Sequence, residues 1–354
     1  MDDHPVHPPP PESSGLPLLH NLTCSEIESW MVAHGTPPYR ARQLWQWLYV
    51  HRCRDLARMT NLPATLRNQI ADAFVTDPAH ITETQGVEGD TRKLLLRLRD
   101  GEQVESVLIP AENRRTICVS CQAGCRFRCA FCASGQAGFR RNLEPGEILA
   151  QVLSACDLWQ QPPTHVVFMG IGEPFDNYDA VLQAVRTLND QDGFRIGARR
   201  ITISTCGMVP GIERLAGEGI QVELSVSLHA PNNALRNRLM PVNQRYPMEV
   251  LMPACDAYTR QTGRIITFEY TLIHNLNDGP ECARELARLL QGRPARVNLI
   301  PLSPVAEFPH APPAPEQAER FAAILTEARI NSTLRLSRGC ALDAACGQLR
   351  YRPL

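Results

Sequence analysis

The feature that most restricts the fold of this chain is an alternation of short apolar runs with helix-like stretches. The runs are TICVS from Thr116, HVVFMG from His165, RRITISTC from Arg199, QVELSVSLH from Gln221, RIITFEYTLI from Arg264 and RVNLIPLS from Arg296. GEILAQVLSACDLW, YDAVLQAVRTL, IERLAGEG, MEVLMPACDAYT, CARELARLL and QAERFAAILTEA alternate with them. Such an alternation predicts parallel strands with crossover helices, an α/β architecture that forms a partial (β/α)6 barrel. In these folds chemistry gathers at the carboxyl ends of the strands. The cysteine cluster, Gly172, Ser204 and His229 all fall at or just after such ends.

Other elements precede and follow the alternation. Residues 1–20 are proline-rich and short of apolar side chains, which predicts a flexible tail. Residues 21–82 contain IESWMVAHG, YRARQLWQWLYV and LPATLRNQIADAF, whose apolar residues repeat at three and four positions, so a small helical domain is expected there. Residues 83–112 hold two strand-like runs around an Asp100, Gly101 turn, a connecting β-hairpin. The barrel is expected over 113–340, with a last short strand near Thr333 to Ser337, and a C-terminal tail over 341–354.

Composition removes several classes of protein. With 44% apolar and 21% charged residues over 354 positions, the chain can bury a substantial core. No apolar run approaches the roughly 18 residues that cross a bilayer, and Met1 to Gly15 is acidic and proline-rich rather than basic then apolar. A cytoplasmic protein with no membrane association is expected. The 13 cysteines, in a long chain without an export signal, point to metal binding or thiol chemistry rather than a disulfide framework. A net charge of -1 means that any phosphate-binding surface must be a local patch.

The segment CVSCQAGCRFRCAFCASG sets Cys125, Cys129 and Cys132 in C-x3-C-x2-C spacing. Three thiolates on one loop can hold three irons of a cubane and leave the fourth iron open to a ligand. A zinc site is the alternative; closed zinc sites need a fourth ligand, and although no such pair is obvious, Cys118 and Cys121 stand nearby and keep that alternative open. Further on, GIGEP ends a strand-like run; its glycines let backbone approach a charged ligand, and Glu173 can accept hydrogen bonds from an ammonium group.

The cysteine segment resembles the radical S-adenosylmethionine (SAM) signature, and its flanks resemble the RlmN and Cfr family of RNA methyltransferases. The likeness runs from about Pro37 to Leu349 and includes YRARQLWQWLY, TRKLLLRL, VESVLIP, CVSCQAGC, FMGIGEPFDNYD, ISTCGMVP, SLHAPNN, RLMPVNQRYP, VNLIP and DAACGQL. The resemblance implies two cofactors, a 4Fe-4S cluster on Cys125, Cys129 and Cys132, and SAM. It assigns SAM contacts to Gly172, Glu173, Ser204, Ser227, Leu228, His229 and Ser303, the last standing where the family pattern has asparagine. Cys121 is another departure, in a place where the family usually has serine.

By the same resemblance, one SAM methylates Cys346. A second SAM is cleaved on the cluster, and the resulting radical activates the methyl carbon for addition to an electron-poor adenine carbon. Glu105 would accept the ring proton. Cys118 would release the RNA by forming a transient disulfide with Cys346. The implied partners are 23S ribosomal RNA, transfer RNA at the adenosine 3' of the anticodon, and an electron donor such as flavodoxin or ferredoxin. The proline after Glu173 resembles the RlmN form, which methylates C2, more than the GEA form of Cfr, which methylates C8. Arg114, Arg115, Arg126, Arg128, Arg140 and Arg141 surround the cluster and are candidates for phosphate contacts. A different class, an electron-transfer or zinc-stabilised RNA-binding protein, would keep the cysteines but need neither Glu105 nor Cys346.

Overall fold

The computed structural model describes residues 15–335 and 342–350. Three helices come first: α1 (Cys24–Ala33), α2 (Tyr39–Tyr49) and α3 (Ala64–Ala73). Thr23 caps α1 in a capping box with Glu26, which ties down two amides that the first helical turn would leave unpaired. One turn carries the buried residues of α2, Leu44, Trp45 and Leu48, onto the same core as the barrel helices. Leu18, Leu19 and His20 are buried as well. The chain is therefore packed already before residue 20, the expected end of the tail, because these side chains lie where α5 (Pro145–Trp159) starts.

Four antiparallel strands follow: β1 (Ala79–Gln85), β2 (Arg92–Leu98), β3 (Gln103–Ala111) and β4 (Arg114–Cys118). The expected hairpin is β2–β3, and Gly101 at its turn has φ of 90°. The sequence reading had no strand at β1, whose burial follows no clean two-residue alternation and whose pairing is interrupted by a bulge.

From β4 the sheet turns parallel. Its order continues through β7 (His165–Phe168), β8 (Ile201–Thr205), β9 (Glu223–Ser227), β10 (Ile266–Leu272), β11 (Ala295–Pro301) and β12 (Asn331–Leu334). The crossovers are α5, α6 (Tyr178–Asn189), α7 (Val209–Ala216), α8 (Asn233–Leu239) with α9 (Met248–Thr262), α10 (Pro280–Leu290) and α11 (Pro315–Glu327). A short antiparallel pair, β5 (Gln122–Gly124) and β6 (Phe139–Asn142), flanks α4 (Ala133–Gln136) just after β4. The last strand lies slightly earlier than expected, and Ser337 is outside the described residues.

Side chains alternate across a strand, so the pairing register decides what each face of the sheet presents. One face carries Ile117, Val166, Phe168, Ile201, Ile203, Leu224, Val226, Phe268, Tyr270, Val297 and Leu299, all in the main core. The opposite face carries Cys118, Ser204, Ser225, Ser227, Glu269 and Asn298. The barrel thus has an apolar exterior under its helices and a polar interior.

Candidate active site

The cysteine loop leaves β5 at Gly124, whose φ is 77° and where a Cβ would lie 1.9 Å from the carbonyl oxygen of Gly138. Only glycine fits that crossing. Cys125 N–H donates to Gly138 O at 2.8 Å, Ala130 N–H to Leu239 O at 2.9 Å and Ala133 N–H to Gly347 O at 2.7 Å. The loop is therefore held by the β5–β6 ribbon, by α8 and by the C-terminal tail.

Cys125, Cys129 and Cys132 are only partly covered, and Cys132 acts electrostatically on both Cys125 and Cys129, so the three thiols share one neighbourhood. Burial pushes Cys125 up to about 12 and Cys129 well above the usual thiol range. A bound metal has to draw off those protons. Three thiols on one loop suit a cubane in which each takes a different iron, whereas a closed zinc site would need a fourth ligand.

Gly172 follows β7 with φ of 108°, and a Cβ there would lie 2.6 Å from Cβ of Gln122. Gln122 Oε1 accepts from Glu173 N–H at 2.9 Å, and its amide donates to Asp176 Oδ2 at 2.7 Å. The Glu173 carboxyl, buried, accepts from Cys206 N–H at 2.7 Å and Phe175 N–H at 3.1 Å. Its burial raises its pKa against those bonds. An ammonium group placed beside it would favour the ionised form.

Ser204 lies near the end of β8 and Ser227 ends β9, both on the inner face. Leu228 and His229 come next, and both of their amides donate to Glu269 O. His229 takes a φ of 54°, unusual for a side chain other than glycine, and its Nδ1 accepts from Thr271 N–H at 2.9 Å. Burial, then the Arg236 charge, lower its pKa to about 3, so the ring is neutral and carries its proton on Nε2. The Phe131 ring of the cysteine loop packs edge-on against it at 4.7 Å. Ser303 is buried just beyond β11. Asn298 donates to Glu269 Oε1 at 2.9 Å, and Ser225 does so at 3.1 Å.

The tail brings distant elements together. Ser134 Oγ donates to Leu349 O at 2.6 Å and Gln348 Nε2 to Pro304 O at 3.1 Å. Ala344 and Leu349 pack with Val107, Cys118, Ala123 and Ile171. Cys346 is open to solvent yet enclosed on most sides; that enclosure and the Glu269 charge push its thiol up to about 11. Cys118 is buried, and burial and Cys346 together raise its pKa. Cys121 belongs instead to the main core.

Glu105 is not the solvated surface charge that a strand glutamate by itself suggests. It is 1% exposed, its Oε1 lies 3.3 Å from Lys93 Nζ, and its Oε2 accepts from Arg350 N–H at 2.7 Å. Sequence reasoning missed Lys93, Gln122, Glu269 and Arg236. The first lies in a strand-like run whose arginines are more exposed, and the last reads as one of two arginines on a short polar helix. Of the six arginines expected around the cluster, Arg114 and Arg115 open β4, at the end of the strand opposite the cysteine loop, Arg141 is bound to Asp100 and Glu147, and Arg126 pairs with Asp176. Arg128 and Arg140 are exposed and, among the described residues, in no ion pair. A cleft of about 570 Å³ bordered by Trp45, Arg186 and Glu218 lies apart and holds none of the expected site residues.

An open parallel barrel with a three-cysteine loop after its first strand defines a radical SAM enzyme, and residues 119–290 match the model of the Radical SAM superfamily. The cofactors of that superfamily are a 4Fe-4S cluster and SAM. Residues 18–75 match the model of the ribosomal RNA large subunit methyltransferase N-terminal domain. The chain is 45% identical over 340 residues to a probable dual-specificity RNA methyltransferase RlmN of Geobacillus thermodenitrificans, covering 95% of this chain and 93% of that one. A Moorella thermoacetica protein of the same name is 46% identical over 344 residues, covering 94% and 97%. The crystal structure of a radical SAM methyltransferase from Sphaerobacter thermophilus superposes with a TM-score of 0.92 at 47% identity, over 94% of this chain and 99% of that one. The chain belongs to the RlmN family of radical SAM RNA methyltransferases.

Proposed function

We propose that this enzyme methylates C2 of adenine in structured RNA, both 23S ribosomal RNA and transfer RNA, with Cys346 carrying the methyl group. The observation that carries the reading is the seat of the tail. Gly347 is bonded to the cysteine loop, Arg350 to Glu105, and the neighbours of Cys346 pack on Cys118. These contacts support a reading in which acceptor, carrier and resolving thiol act together.

In this reading Cys125, Cys129 and Cys132 hold the cluster, which with SAM supplies the radical chemistry. Glu173 receives the SAM amino group beside Gly172, while Ser204, Ser227, Leu228, His229 and Ser303 orient the remainder. Cys346 takes up the methyl group as its thiolate, Glu105 accepts the proton from the methylated ring carbon, and Cys118 attacks the Cys346 sulfur to free the RNA in a transient disulfide. The target base must leave its stack to reach these groups. Arg128 and Arg140 supply phosphate contacts, and the N-terminal helical region positions the RNA. The reductant is a flavodoxin or ferredoxin, and the enzyme works in the cytoplasm; no helix among the described residues is long and apolar enough to cross a membrane.

C2 rather than C8 rests on the proline after Glu173 and on the names of the relatives. Mass spectrometry of nucleosides from ribosomal and transfer RNA of cells with and without the enzyme tests this. 2-Methyladenosine should vanish from both RNAs without it. Loss of 8-methyladenosine instead, or of neither, would contradict the reading.

A further inference from the structure

Among the described residues Arg236 is the largest fully buried side chain, at 0% exposure. It rises from α8 and reaches four acceptors: Cys206 O at 2.7 Å, Asn243 Oδ1 at 2.8 Å, Ser227 O at 3.1 Å and Leu228 O at 3.2 Å. Three of these are main-chain carbonyls at the ends of β8 and β9, where the SAM-facing residues lie. All four acceptors are neutral, and among the described residues no carboxylate pairs with the guanidinium.

An arginine is almost never fully buried without a counter-charge, because a desolvated and uncompensated ion costs several kcal/mol. A neutral side chain could bond the same carbonyls without that penalty. The guanidinium does not escape by losing its proton, since its ordinary pKa lies far above neutrality. The groups that face it electrostatically are the thiols of Cys206, Cys129 and Cys255 and the neutral ring of His229. Cys129 and Phe131 pack against the apolar cluster that includes Cys206 and, from the same helix as Arg236, Leu235 and Leu239, and Ala130 N–H donates to Leu239 O. Binding of a cluster turns the thiol of Cys129 and its two companions into thiolates, and the assembly becomes more negative when it accepts an electron.

We propose that Arg236 is a positioning and redox-tuning residue, whose buried charge compensates the thiolate-bound cluster and makes it easier to reduce while its hydrogen bonds fix the strand ends that hold SAM. The inference rests on the proposed seat of the cluster at Cys125, Cys129 and Cys132. Reduction potentials of iron-sulfur centres follow the charge around them. A fixed cation favours the more negative, reduced form, and so raises the potential at which one electron from the external reductant enters.

The test uses wild type, Arg236→Lys, Arg236→Gln and Asn243→Asp, each reconstituted with iron and sulfide and assayed for iron content. The cluster potential is then measured by titration with dithionite followed by electron paramagnetic resonance, and SAM affinity is measured separately. Arg236→Gln removes the charge. Asn243→Asp keeps the arginine and sets a carboxylate against it. Both should shift the midpoint to more negative potential at normal iron content. Arg236→Lys should hold the midpoint near wild type while weakening SAM at least tenfold, since an ammonium cannot span the four acceptors. Unchanged midpoints in Arg236→Gln and Asn243→Asp would overturn the proposal. So would failure of all three variants to assemble a cluster, which would leave Arg236 a purely structural part. If wild type itself binds no iron, the cluster assignment falls rather than the tuning role alone.

Discussion

The backbone amide of Arg350 donates to Oε2 of Glu105 at 2.7 Å, joining the C-terminal tail to the second strand of the hairpin across 245 positions of the chain. The other carboxylate oxygen faces Lys93 at 3.3 Å, in a pair that is 5% and 2% exposed. A buried pair of this kind is costly to break from one side, because the partner left behind keeps its charge. Glu105→Gln, which still accepts from Arg350, should lower stability by about 3 kcal/mol. The Lys93→Met, Glu105→Gln double variant should recover most of that loss in chemical denaturation. Equal destabilisation in single and double variants would show that the pair is not the source.

Gly172→Ala should preserve the fold and weaken SAM. Its φ of 108° is strained for any other residue, and the added methyl group would press on Gln122, whose side chain positions Glu173 N–H. Isothermal titration of the cluster-loaded protein should show SAM affinity reduced at least tenfold, about 1.4 kcal/mol. Unaltered affinity would remove Gly172 from the binding site.

His229 gives the stability of the enzyme a pH dependence of known sign. Its pKa is about 3 in the folded chain against 6.5 when exposed, so the unfolded chain binds the extra proton in that window. The contribution is complete above pH 6.5 and is lost as pH falls toward 3. His20, buried and also lowered to about 3, acts in the same direction. Denaturation midpoints should therefore drop between pH 7 and pH 5. In His229→Asn, whose side chain tolerates a positive φ, the drop should be smaller. An identical pH dependence in the variant would place the titration elsewhere.

Much of this was legible in the sequence because the barrel's signals are local. Alternating runs such as HVVFMG and YDAVLQAVRTL name their own strands and helices, the Asp100, Gly101 turn names its hairpin, and the cysteine spacing names its loop. What escaped depends on partners far along the chain. Glu105 has the composition of a surface strand, and its burial follows only from Lys93 on the neighbouring strand and Arg350 in the tail. Arg236 lies in an unremarkable polar stretch, NALRNRL, and its burial follows from carbonyls at the ends of two other strands. The N-terminal helices look separate in sequence, but Leu44 and Trp45 join the barrel's core, a fact that periodicity does not carry.

The central claim is that Cys346 carries carbon to the base and Cys118 only severs the final bond. Cys118 packs with Ala344 and Leu349 of the tail, while Cys121 lies in the main core and is poorly placed to replace it. The most direct test is intact-protein mass spectrometry of cluster-loaded Cys118→Ala after reaction with SAM, reductant and RNA. The account predicts a covalent protein-RNA species that nuclease trims to a nucleotide remnant on Cys346, present also in Cys118→Ala, Cys121→Ala and missing from Cys346→Ala. Absence of any adduct from both Cys118 variants, while both still cleave SAM, would contradict it.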